Sequence, residues 1–211
     1  MSLLEVKDIT VRFGGIVALN DLSFDLDEGQ ITALIGPNGA GKTTLFNVVS
    51  RIYEPTEGSI TYDGQDLLAM PAHRICRVGI YRTFQNLALW PTMTVLENVM
   101  VGAFTSTKTS FPQAALRIMG ARSEEKATKR RAYEVLEELD LADVAFHPAT
   151  GLPFGTLKRI EIARAMIGNP RLLMLDEPAS GLTHSEVDEL SATIRGLRDR
   201  HNLSVLLVEH H

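Results

Sequence analysis

Residues 36 to 44 read Gly-Pro-Asn-Gly-Ala-Gly-Lys-Thr-Thr. No other stretch constrains the fold so tightly. Gly36, Gly39 and Gly41 lack a Cβ, so the backbone can curl sharply and turn its N–H groups inward. That arrangement, at the start of a helix, favours an anion such as a triphosphate. Lys42 can reach the β- and γ-phosphates, and the Thr43 hydroxyl can ligate Mg2+. The flanks agree with the loop. Ile31-Thr32-Ala33-Leu34-Ile35 reads as a buried strand running into it, and Lys42 to Val49 as the helix leaving it.

A second run carries chemistry. Leu172-Leu173-Met174-Leu175 is continuously apolar, as expected of a strand covered on both faces, and Asp176-Glu177 follows. Two acids there place carboxylates at the carboxyl edge of a sheet, where nucleotides bind. Asp176 is expected to hold the Mg2+ shell and Glu177 to polarise an attacking water. Alone, the pair reads equally well as the cap of the next helix. Beside the glycine loop, the nucleotide reading prevails.

The remaining pattern is that of an α/β core with an insertion. Residues 3 to 35 are β-rich; Leu22 to Leu26 alternates apolar and polar, and Asp27-Glu28-Gly29 marks a turn. Ser59 to Gly64 suggests another strand and turn. Residues 88 to 165 differ. Thr94 to Glu97 has capping-box spacing, so a helix should start near Val95. Phe104 to Pro112 reads as a loop, and Glu124 to Leu139 as a helix with Ala127, Leu136 and Leu139 among its apolar positions. Thr183 to Glu186 is a second capping box. Val187, Leu190, Ile194 and Leu197 follow at helical spacing, Asn202 stops that helix, and Leu203 to Val208 is a last buried strand. Strand–helix–strand alternation argues for a parallel sheet.

Composition narrows the partners. The net charge of −5 argues against a nucleic-acid partner, which calls for a basic footprint. Cys76 is the one cysteine, which leaves no disulfide framework and fits a reducing, intracellular setting. It reads as a packed residue rather than a nucleophile. His73, His147, His184 and His201 lack metal-ligand spacing. No apolar run reaches the roughly 18 residues of a spanning helix, and the N-terminus lacks a signal-peptide pattern. Any membrane association is therefore expected to go through a partner.

Gly36 to Thr44, Asp176-Glu177-Pro178 and Arg159 to Ala165 together resemble the ATP-binding subunits of ABC transporters, over essentially the whole chain. The resemblance is closest to the ATPases of branched-chain amino-acid importers, through Gly79 to Asn86, Pro91 to Val99 and Asp176 to Leu182. It implies a P-loop NTPase core with an N-terminal antiparallel β subdomain. The core would comprise residues 1–87 and 166–211, with a helical subdomain at 88–165. It implies an ATP- and Mg2+-binding loop at Gly36, Pro37, Asn38, Gly39, Ala40, Gly41, Lys42, Thr43 and Thr44. It implies adenine stacking on Phe13 and a glutamine, Gln85, in the metal and water shell. It also implies a switch histidine, His210, at the γ-phosphate; Glu-His-His at a C-terminus also reads as a purification-tag scar.

The signature segment departs from the family's usual Leu-Ser-Gly-Gly-Gln: this chain has Leu152-Pro153-Phe154-Gly155-Thr156. Pro153 offers neither hydroxyl nor N–H, which leaves Gly155 and a helix start near Thr156 to meet the partner's γ-phosphate. Lys158 is expected on a solvated helix face, as is the cluster Lys126, Lys129, Arg130 and Arg131. The resemblance further implies a homodimer, or a heterodimer with a paralogous ATPase subunit. That pair would sit at the cytoplasmic face of the membrane on an integral-membrane permease fed by a solute-binding protein. A urea or amide importer, and a soluble non-transport ABC ATPase, stand as alternatives. Family members run on past the histidine, so a truncated chain is expected.

Overall fold

The strand that leads into the glycine loop is β3 (Ile31–Ile35), and the loop opens into α1 (Lys42–Val49), as its composition requires. The computed structural model describes residues 2–83, 87–105 and 119–210. They divide into two compact units, the first comprising Met1–Gln85, Arg171–Ser180 and Ser191–His211, the second Asn86–Pro170 and Gly181–Leu190.

The first unit holds two sheets. An antiparallel one has the order β2-β1-β4-β5, from β1 (Ser2–Phe13), β2 (Ile16–Asp27), β4 (Glu57–Tyr62) and β5 (Gln65–Asp66). Gly14-Gly15 turns β1 into β2 so that Phe13 faces Ile16. The second sheet is parallel, with the order β3-β8-β7-β6; here β6 is Ile80–Arg82, β7 Leu172–Asp176 and β8 Ser204–Glu209. A parallel sheet buried on both faces explains why all five residues of β7 are buried. β3 corrects the buried-strand expectation: it is an edge strand paired with β8, and Ile35 stays exposed. Phe46, Leu45, Val48 and Val49 of α1 enter one apolar cluster with residues of both sheets. Each such side chain contributes about 1.5–3 kcal/mol on burial, so the helix that starts at the loop is fixed by the core behind it. Arg171 joins the start of β7 to the antiparallel sheet, donating to Asp63 at 2.5 Å and Glu28 at 3.1 Å.

The second unit is helical: α2 (Val95–Val101), α3 (Met119–Glu138), α4 (Phe154–Met166) and the opening turns of α5 (His184–His201). The capping box at α2 is present: Glu97 Oε2 accepts from the Thr94 N–H at 2.8 Å, and Thr94 Oγ1 from the Glu97 N–H at 3.2 Å. Buried Asn98 ties the segment before α2, accepting from the Trp90 N–H at 2.8 Å and donating to the Trp90 and Thr94 carbonyls at 3.0 Å. Gly102–Thr105 is a 3-10 turn, so Phe104 and Thr105 are not loop; residues 106–112 lie outside the described residues. Leu136 is buried on α3 and Leu139 just beyond it, but Ala127 is exposed and Ala132 is buried instead.

One surface expectation fails. Lys158 is 5% exposed, with its ammonium 5.5 Å from the Phe154 ring centroid, because an aliphatic stem can bury while its charge rests on an aromatic face. Lys126, Lys129, Arg130 and Arg131 are exposed, as expected of a solvated helix face, and Arg131 also donates to the Ile167 carbonyl at 2.7 Å, near the end of α4.

Candidate functional site

The site lies at the carboxyl ends of the parallel strands. β3 delivers the glycine loop, β7 ends in Asp176, and β8 is followed by His210. A cleft of about 240 Å³ is bounded by residues 37–44 and by Ile16, Val17 and Ala18 of β2. Gly39 and Gly41 have φ of +82° and +85°, the left-handed region that L side chains avoid. At Gly41 a Cβ would fall onto the Ala18 carbonyl oxygen and lie 2.6 Å from Leu19 Cδ2. Gly41→Ala is therefore expected to cost at least about 1–2 kcal/mol from the backbone alone. It should also weaken nucleotide binding by displacing the loop from β2; thermal unfolding and nucleotide titration of the variant check both.

Lys42 Nζ donates to the Gly36 and Pro37 carbonyls, the latter at 3.1 Å, and to His210 Nδ1 at 3.2 Å. His210 Nε2 lies 2.8 Å from Glu177 Oε1. An ammonium only donates, so Nδ1 must accept; the ring proton is then assigned to Nε2, which donates to Glu177. The sequence thus brings together, from three strand ends, a cation, an imidazole of fixed tautomer and a carboxylate. Glu177 is buried, and its φ is +50°, sparsely populated for a residue with a side chain. Its N–H donates to the Val208 carbonyl at 3.0 Å, so pairing with β8 holds the bend. A positioned carboxylate of this kind can accept a proton from water.

Asp176 is 3% exposed. Its Oδ2 accepts from Arg82 at 2.7 Å, while Oδ1 is buried with no hydrogen-bond partner among the described residues. Arg82 also donates to Asn47 of α1 at 2.7 Å. No cluster of three or more His, Cys, Asp or Glu able to hold a metal is present among the described residues. The carboxylate present fits Mg2+, which keeps waters and phosphate oxygens beside one or two carboxylates. The orphaned Oδ1 is the atom that suits it.

Phe13, at the turn end of β1, is half exposed and stands edge-on to Tyr53, centroids 5.2 Å apart. Its cross-strand partner Ile16 lines the cleft. Sequence reasoning passed over Tyr53, which has no motif. It also passed over Arg82, which meets Asp176 only through strand pairing. Gln85 lies outside the described residues.

In the second unit α4 begins at Phe154, two residues earlier than expected, with Pro153 at its cap. Glu186 closes the capping box at α5, accepting from the Thr183 N–H and hydroxyl at 2.8 Å. Those contacts and the Gly155 N–H hold its carboxyl below the usual range. Glu161 of α4 is buried, which pushes its carboxyl upward; it accepts from the Ala88 N–H at 3.0 Å and from Arg164 at 3.4 Å.

Residues 19–180 match the family model described as ABC transporter. The chain is 44% identical over 208 residues to the high-affinity branched-chain amino acid transport ATP-binding protein BraF of Pseudomonas aeruginosa, covering 99% of this chain and 82% of that one. Its backbone matches the ADP conformation of an ATP-binding cassette of an ABC transporter with a TM-score of 0.86 and 29% identity, over 100% of this chain and 82% of the other. A dimeric bacterial ABC transporter cassette matches with a TM-score of 0.79 and 25% identity, over 99% and 88%.

Proposed function

The chain belongs to the ABC transporter family, and on that premise we propose that it is the ATP-hydrolysing subunit of a branched-chain amino-acid importer. The observation that carries the hydrolytic role is the Lys42–His210–Glu177 hydrogen-bonded series at the mouth of the glycine loop. The 44% identity to BraF supports the solute class.

In this reading Phe13 stacks on adenine, and the N–H groups of residues 36 to 44 hold the phosphates. Lys42 exchanges its loop carbonyls for β- and γ-phosphate oxygens. Thr43 and Asp176 hold the metal shell, which Gln85 joins. Mg2+, when bound with the nucleotide, neutralises charge on the β- and γ-phosphates. Glu177 takes the proton from the attacking water, and His210 keeps that carboxylate aimed while touching the γ-phosphate. Gly155, on the N-terminal turn of α4, serves the nucleotide of a second subunit, so each ATP is shared by two chains closing head to tail. Residues 1–87 and 166–211 act as the catalytic core, and 88–165 as the helical subdomain that signals to a permease. No helix among the described residues is long and apolar enough to cross a membrane. The permease therefore supplies the membrane contact, at the cytoplasmic face, and a solute-binding protein delivers the cargo.

The test is co-purification with the permease in vesicles, with hydrolysis followed as solutes are supplied on their binding protein. Leucine, isoleucine or valine is expected to stimulate phosphate release several-fold. Stimulation by urea but by none of the three would overturn the solute class.

A further inference from the structure

Arg82 has no place in the glycine loop or the acidic pair, yet it is held by two side-chain hydrogen bonds and an aromatic face. It ends β6, opposite Met174 of β7, two residues before Asp176. One guanidinium nitrogen donates to Asn47 Oδ1 and another to Asp176 Oδ2, both at 2.7 Å. Its Cζ lies 5.2 Å from the centroid of Phe46, a fully buried ring. The side chain is 10% exposed and that of its carboxylate partner 3%.

A guanidinium presents its donors in a rigid fork, so two contacts fix its orientation where an ammonium would swivel. Here the fork spans α1, the helix that starts at the glycine loop, and β7, the strand that ends at Asp176. It engages one oxygen of Asp176 and leaves the other buried and unpartnered among the described residues. A buried acceptor in that state is costly unless a ligand completes it.

We propose that Arg82 is a positioning residue for the metal shell. It clamps Oδ2 so that Oδ1 faces the metal accompanying the nucleotide, and it locks that carboxylate to the phosphate-binding helix through Asn47. The inference rests on the assignment of Asp176 to the Mg2+ shell. Partners that orient metal ligands typically alter metal affinity by about 10–100-fold when removed. A guanidinium that merely stabilised the core would affect nucleotide binding equally with and without metal.

The experiment titrates trinitrophenyl-ATP by fluorescence into the full chain and into Arg82→Met and Arg82→Lys, in Mg2+ and in EDTA. Arg82→Met is expected to lose at least about 10-fold in affinity in Mg2+ and to bind as the unaltered chain does in EDTA. Arg82→Lys keeps the charge but not the fork, and should fall between; it carries the test if the methionine variant does not fold. The Mg2+ concentration for half-maximal binding should rise in the same order. Equal losses in both buffers, or an unchanged Mg2+ requirement, would overturn the clamp. If the unaltered chain binds no more tightly with Mg2+ than with EDTA, the assignment of Asp176 fails first and the clamp with it.

Discussion

Glu177→Gln is expected to bind ATP as the parent does and to hydrolyse it about 10²–10⁴-fold more slowly, the usual contribution of a positioned base. The amide is nearly isosteric with the carboxylate. Its oxygen can still accept from His210 Nε2, the contact that is 2.8 Å long in the parent. Its backbone still bends on the Glu177–Val208 hydrogen bond. What disappears is the acceptor for the proton of water. Steady-state phosphate release beside equilibrium nucleotide binding separates the two effects. Retained turnover would remove Glu177 from the mechanism.

Lys42→Ala is expected to act earlier, at binding. Loss of a charge-assisted contact costs about 1.5–3 kcal/mol, or about 10- to 150-fold in Kd. The variant also leaves the Gly36 and Pro37 carbonyls and His210 Nδ1 without the donor they share. Without that donor the imidazole is free to change tautomer and to present a bare nitrogen to Glu177. Hydrolysis should therefore remain depressed even at saturating ATP, a deficit that phosphate release at high nucleotide measures. Full recovery of turnover at saturation would confine Lys42 to binding alone.

Residues whose roles depend on near neighbours were legible in the chain itself. The glycine loop, β3, α1 and β7 begin and end where their local chemistry demands, because turn geometry and apolar runs act over a few residues. Both capping boxes were readable for the same reason. The environment of a side chain was not. An apolar pentapeptide looks the same at the edge of a sheet as at its centre, so the exposure of Ile35 is not written in it. Lys158 is charged and yet buried, with its ammonium 5.5 Å from the Phe154 ring centroid, and its charge alone does not announce that. Arg82 meets a carboxylate 94 positions away, and only the β6–β7 pairing creates that meeting. Buried Glu161 belongs to the same class, since the Ala88 N–H that it serves is 73 positions distant.

The contact behind Gly41 bears on how this loop could be reused. Its left-handed turn presses against the carbonyl of Ala18, in a strand of the other sheet. A nine-residue cassette lifted onto a new scaffold would lack that backing and would relax away from its shape. Engineers seeking to graft the phosphate cradle must carry the supporting piece of β2 with it, or build a substitute carbonyl at the same place. The cradle is thus a discontinuous motif, written in two distant parts of the chain.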